Sequence, residues 1–268
     1  MIGIRENGAR PDMDSKSKIR KMPAEKESQS SSQTTKATLA LREMLVQGVF
    51  RPGERLREVP LAARLKVSRI PLHLALERLA HEGFLEIRPT RGFVVQSFTT
   101  NDIYDAIDLR GLLEGAAARL ATERLRDPKE LDPLRESSRE MVNLVRSRKL
   151  TIEGFRRYIG MNATFHNALV HLSHSRMLRR AVEQASSLAF ASPSAFLNRQ
   201  FISPEMRELF IISADQHCVI LEAIAGGEGM RAEALTREHA RMARRNLEDA
   251  LKNQEQLQDL AGTKLLHL

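Results

Sequence analysis

Apolar residues along the chain fall into three regimes. From Met1 to Thr35 they follow neither a helical nor an alternating period. Lys, Arg, Ser and Gln dominate there, and Ser28-Gln29-Ser30-Ser31-Ser32-Gln33 approaches low complexity. That composition predicts a disordered basic tail over residues 1–35. Between Lys36 and Phe98 the pattern turns compact and varied. Leu39, Leu41, Leu45 and Val46 predict a helix ending near Gly48, and Pro52-Gly53 marks a turn. A short helix follows over Val59 to Leu65, with a break at Lys66-Val67. Ser68 is placed to cap a helix running to about Glu82, with Pro71 in its first turn and Gly83 at its stop. The period then changes. Phe84-Leu85-Glu86-Ile87-Arg88 and Gly92-Phe93-Val94-Val95-Gln96 are short β-prone runs around Pro89-Thr90-Arg91-Gly92, a hairpin signal. A helix, a helix-turn-helix and a hairpin make a winged helix.

The third regime is purely helical. Thr99 to Asp102 form a short linker that caps a helix carrying Ile103, Ile107, Leu113 and Leu120 on one side. Breaks at Arg126-Asp127-Pro128, Leu150-Thr151, Ser173 to Ser175, Ser203-Pro204 and Gly226 to Gly229 divide residues 103–252 into about six helices. Residues 253–268 are read as a C-terminal tail. The expected fold class is therefore mainly α: an N-terminal winged helix-turn-helix over 36–98, then an all-α antiparallel bundle.

Composition narrows the setting. Of 268 residues, 42% are hydrophobic but only 4% are aromatic, with no Trp, which suits helix-on-helix packing. The formal net charge of +8 admits an anionic partner, either nucleic acid or an acidic membrane surface. One cysteine, Cys218, excludes an internal disulfide framework and fits a reducing cytoplasm. No apolar run reaches membrane-spanning length, and no secretory h-region stands at the N-terminus. A cytoplasmic protein with no membrane partner is expected.

A helix-turn-helix sets the start of its second helix in the major groove. Here that start is Ser68-Arg69-Ile70-Pro71-Leu72-His73. Arg69 is placed for a bidentate contact to guanine. Ser68 is suited to cap the helix or bind a phosphate. Arg57, Lys66 and Arg91, with Arg55, Arg64 and Arg88, are candidates for backbone contacts on double-stranded operator DNA. Gly92 at the hairpin tip lets backbone approach a groove closely.

Val67 to Leu72, Ala75-Leu76-Glu77-Arg78-Leu79, Glu82-Gly83-Phe84-Leu85 and Arg91 to Val95 together resemble the winged-helix signature of the GntR family. Leu56 to Val59, Leu61-Ala62 and Leu65 resemble its preceding helix. The resemblance implies a DNA-binding transcriptional regulator, acting as a homodimer and more commonly as a repressor. The chain departs from the family pattern at Ile70, where Thr is usual, and at His73-Leu74, where Arg-Glu is usual. His73 then contacts DNA more weakly and with pH dependence, and the operator differs from the family's common one.

Among the eight histidines three share a geometry. Asn162 and His166 are four residues apart, on one helix face. His217 lies nine residues before Gly226 and His239 ten after Gly229. If those glycines turn an antiparallel helix pair, the two imidazoles meet at one level, and a third brought by another helix completes a site for a metal. The helical region also resembles the FCD ligand-binding domain of the FadR branch of the GntR family. That resemblance implies a divalent metal, Zn or Ni, held at Asn162, His166, His217 and His239. Asn162 stands where the family has Asp, so the site loses one negative charge and binds metal more weakly. The same resemblance places Arg110 and Glu114 at the effector cavity, with Arg110 gripping a small-molecule carboxylate effector. Three other readings stay open at this level: a polar pocket that binds an anionic effector without metal, an Arg110–Glu114 pair on the helix surface, and a helical domain that only dimerises. A metal-dependent enzyme is not expected, because no HExxH helix, nucleophile elbow, Walker loop or Rossmann fingerprint appears.

Overall fold

The computed structural model describes residues 24–148, 150–188, 191–192, 204–252 and 263–266. Helix α1 spans Ala24–Val46, so it begins inside the segment expected to be a structureless tail. Residues 1–23 of that tail lie outside the described residues. The buried face of α1 carries Ala37, Leu41 and Leu45, one per turn, while Leu39 points to solvent. Helices α2 (Glu58–Leu65) and α3 (Arg69–His81) follow, joined by a turn in which Lys66 adopts φ 54°. Leu72, Ala75, Leu76 and Leu79 of α3 pack against Leu41 and Leu45 of α1 in one apolar core. At the rim of that core the Arg42 guanidinium donates to both oxygens of buried Glu82, at 2.7 and 2.6 Å, tying α1 to the end of α3.

Strands β1 (Leu85–Arg88) and β2 (Gly92–Val95) form an antiparallel hairpin in which Leu85 faces Val95 and Arg88 faces Gly92. Three residues close it, and the loop's return needs Gly92 at φ 66°, a left-handed conformation unfavourable for any side chain. Residues 53–56 add a short edge: the Leu56 amide donates to Phe93 and the Val95 amide to Glu54.

The helical domain starts at α4 (Thr100–Arg124), capped by Thr99 and Asp102 in a reciprocal box, so the expected linker is the helix start itself. A 3-10 turn at Pro128–Leu131 leads into α5 (Asp132–Arg146), α6 (Ile152–Leu172) and α7 (Arg176–Ser187), then α8 (Pro204–Ala225), α9 (Gly229–Ala240) and α10 (Met242–Lys252). Among the described residues seven α-helices are thus seen where about six were expected. The additional break is at Arg241, whose amide bonds to Glu238 three residues back.

Helix α4 is central, and of its expected apolar stripe Ile103 and Ile107 are buried. Leu113 and Leu120 are half-buried, whereas Arg110, Gly111, Glu114, Gly115 and Ala118 are buried. The glycines let α9 lie against α4. A Cβ at Gly111 would come 2.8 Å from the Ala240 methyl, and one at Gly115 would come 3.0 Å from the Glu233 carbonyl.

The C-terminal segment is not a free tail. Residues 253–262 lie outside the described residues, but Thr263–Leu265 form a 3-10 turn against the winged helix. Leu265 is wholly buried in that domain's core and accepts a hydrogen bond from the Phe98 amide at 2.9 Å. Leu266 packs with Phe98 against Ile103, Ile107 and Leu247, so the last turn touches both domains. No helix among the described residues is long and apolar enough to cross a membrane.

Candidate functional site

Two sites stand apart in the fold. On the winged helix, Arg57, Lys66, Ser68, Arg69, His73, Arg91 and Gly92 are all exposed, as are Arg55, Arg64 and Arg88. Ser68 takes the extended N-cap conformation but its hydroxyl makes no capping hydrogen bond, which leaves it for an outside acceptor. His73 is more constrained than expected from sequence. Its Nδ1 lies 3.2 Å from Glu58 and its Nε2 3.5 Å from Glu77, and its ring meets Phe93 of the wing edge-on. It is thus a junction of α2, α3 and β2 as well as a surface residue.

In the helical domain, α4, α6, α8 and α9 converge on three imidazoles. His217 Nε2 lies 3.0 Å from His239 Nε2, which lies 3.2 Å from His166 Nε2. One ligand nitrogen from each of the three lies within 4.8 Å of the others, and all three rings are buried. The Gly226-Gly227 turn, with Gly227 at φ 74°, folds α9 back on α8 so that His217 and His239 meet at one level. Asn162, one turn before His166, is buried and lines the same cavity as His166 and His239.

Hydrogen bonds behind the rings set their tautomers. His166 Nδ1 donates to Glu114 Oε2 at 3.1 Å, and His239 Nδ1 donates to the Gln216 amide oxygen at 3.0 Å. With those nitrogens engaged from behind, the Nε2 atoms of His166 and His239 face each other. His217 is held by stacking on Phe165, ring centroids 4.0 Å apart. Burial, followed by the neighbouring imidazoles, pushes the pKa of His217 well down; burial and then His166 do the same to His239, so neither ring readily takes a proton there. Two ring nitrogens 3.2 Å apart need either a shared proton or a metal ion between them. Nitrogens about 2.0–2.1 Å from a tetrahedral zinc stand about 3.3 Å apart, close to the spacings found. The residues present fit a metal, with carboxylate and amide partners orienting the ligands from behind.

Arg110 and Glu114 do form an i, i+4 pair, Nη1 to Oε2 at 2.9 Å, but it is buried rather than on the helix surface. Burial raises the Glu114 pKa, but the Arg110 charge, ahead of His166 and His239, overcomes it and holds the carboxyl down at about 2. Arg110 Nε and Glu114 Oε1 have no hydrogen-bond partner. Arg110 borders a cavity with Tyr158, Asn162, His166, Ser213 and His239. Burial, opposed by a hydrogen bond with Ser213, pushes the Tyr158 phenol up to about 12, so it stays protonated. The cavity holds about 20 Å³, room for one water and not for an organic acid. The three histidines are gathered and Arg110 is buried, not solvated.

The family resemblance places Glu114 at the effector, whereas in the structure it holds His166. Gln216, Tyr158 and Ser213 join the site only in the structure. Neither Gln216 beside His217 nor Tyr158 one turn before Asn162 carries a pattern that marks it. The spacing Gly111, Gly115, Ala118 was the readable sign of a close helix crossing.

Residues 33–95 match the family model described as "Bacterial regulatory proteins, gntR family", and residues 105–242 match "FCD domain". The "Nta operon transcriptional regulator" of Aminobacter aminovorans is 39% identical over 143 residues, 53% of this chain and 65% of that one. The "Probable D-xylose utilization operon transcriptional repressor" of Paenarthrobacter nicotinovorans is 30% identical over 219 residues, 77% of this chain and 88% of that one. For the first of these, as for an uncharacterised Bacillus subtilis regulator matched over 64% of its length, the chain spans just under two thirds of the relative. The solved structure titled "E. coli McbR/YncC" superposes with a TM-score of 0.53 at 21% identity, over 82% of this chain and 97% of that one, which shows a shared fold.

Proposed function

Because the chain belongs to the GntR family of bacterial regulatory proteins and carries an FCD domain, we propose that it is a DNA-binding transcriptional repressor whose operator affinity answers to a small carboxylate bound beside a metal in the helical domain. The observation that carries this reading is the convergence of three imidazole Nε2 atoms next to a buried Arg110, in the same chain as an exposed basic winged helix.

Backbone phosphates meet Arg57, Lys66, Ser68 and Arg91, and Arg69 reads guanine. A homodimer presents two such readers to a two-fold operator. His166, His217 and His239 would hold zinc or nickel, with Asn162 offering its amide oxygen in place of a carboxylate. A metal held there would supply a positive centre for an anionic ligand, and the Arg110 guanidinium is a second. The cavity must open to admit the acid. A ligand bound only by the opened state then shifts the domain toward it, which is the origin of a response at the DNA. The repressor sense is favoured by the relative named as a D-xylose operon repressor.

The test is operator binding by fluorescence anisotropy, with zinc present, across a panel of small organic acids. At least one acid should weaken binding by tenfold or more in the wild type and leave His217→Ala unmoved. An equal response in His217→Ala would place the sensor elsewhere. Arg69→Ala should lose sequence preference and keep salt-sensitive binding. Retained preference would remove Arg69 from the reading.

A further inference from the structure

The start of α3 carries an apolar strip that the fold does not use. Ile70 is 72% exposed and Leu74 44% exposed, while Leu72, Ala75 and Leu76 of the same helix are buried in the core. Residues four apart lie one turn above each other on one face. Arg69, Ile70, His73, Leu74 and Glu58 line one open surface groove. Single exposed apolar side chains are ordinary on protein surfaces. Two large ones stacked on the leading turns of the helix, framed by charge, are a patterned surface.

The surroundings say what covers it. Arg69 lines the groove itself, and Arg55, Arg57, Arg64, Lys66, Arg88 and Arg91 are exposed elsewhere on the same winged-helix domain, a basic surface that complements a phosphate backbone. Within a major groove the one apolar feature at a base edge is the 5-methyl group of thymine. His73, the polar residue between Ile70 and Leu74, has its ring nitrogens facing Glu58 and Glu77, so it competes poorly for bases.

Resting on the DNA-binding reading above, we propose that Ile70 and Leu74 are specificity-determining residues that read thymine methyl groups. Each half-site then pairs a guanine under Arg69 with adjacent thymines under the two aliphatic side chains. Hydrogen bonding by Arg69 and methyl contact by Ile70 and Leu74 share the discrimination.

The experiment selects bound duplexes from a random-sequence pool with the full-length chain. It then replaces each thymine of the enriched half-site by deoxyuridine, which removes only the methyl group. Wild type should lose roughly fourfold in affinity per contacted methyl, the transfer value of one buried carbon. Ile70→Ala should be indifferent to deoxyuridine at one position and Leu74→Ala at another, each with normal circular dichroism and unchanged response elsewhere. Both side chains are exposed, so these variants keep the core intact. An enriched site that is indifferent to deoxyuridine, or a deoxyuridine loss undiminished in both variants, overturns the proposal and leaves the DNA-binding reading standing. A pool with no enriched sequence, bound with no preference, overturns both.

Discussion

Glu114 holds His166 in place: its Oε2 accepts from Nδ1 at 3.1 Å, and that same oxygen accepts from Arg110 at 2.9 Å. One buried carboxylate thus neutralises a guanidinium and fixes the tautomer of a candidate metal ligand. Glu114→Gln keeps the shape and removes the charge, leaving Arg110 buried without its counter-ion. We expect a loss of about 3 kcal/mol in stability and a roughly tenfold to hundredfold fall in zinc affinity. Denaturant unfolding and competitive metal titration read the two effects. A variant as stable and as metal-avid as wild type would show that the pair positions nothing.

Metal removal should be visible without any effector. Three facing imidazoles gain a ligand only in the folded state, so zinc at a hundred times its dissociation constant should stabilise the chain by about 2.7 kcal/mol. Thermal unfolding of chelator-treated protein, before and after adding zinc or nickel, measures this. The upward shift should vanish in His239→Ala. Identical melting with and without metal would leave the cluster a purely polar pocket.

The α4–α9 crossing gives a third expectation. Gly115→Leu would drive a side chain into the Glu233 carbonyl and the Arg237 stem. Overpacking of this kind costs about 1–3 kcal/mol. Separating α9 from α4 also withdraws His239 from His166, so metal affinity should fall with stability. Chemical denaturation beside metal titration checks both, and an unchanged metal affinity would show that α9 is positioned by α8 alone.

Leu265 offers a test of the C-terminal turn. Its side chain lies in the winged-helix core with none of its surface exposed. Leu265→Ala should cost about 2–5 kcal/mol, and ending the chain at Gly262 should cost at least as much. The loss should be seen in hydrogen exchange of α1 and α3. Unaltered protection there would mean the turn adds nothing to the reader.

Much of the architecture was legible because it is local. The cap at Thr99, the stop at Gly83 and the left-handed requirement at Gly92 are decided by neighbouring backbone. The winged helix and most helix breaks could therefore be placed from residue types alone. The start of α1 at Ala24 was not legible, since Ser- and Gln-rich composition carries no apolar period there. The Arg241 break was missed because it interrupts one hydrogen-bond step and no sequence breaker marks it.

By itself, then, the sequence determined the two-part organisation and the basic winged helix, and it gave His217 and His239 matched heights once Gly226 to Gly229 is taken as an antiparallel turn. Only the tertiary structure decided that Arg110 and Glu114 are buried partners of His166. It also decided that Gln216 backs His239, that the cavity is too small for an acid as it stands, and that Leu265 belongs to the DNA-binding domain. Those facts depend on side chains brought together across 52, 23 and more than 160 residues of chain. Packing sets such distances, and no local pattern encodes them.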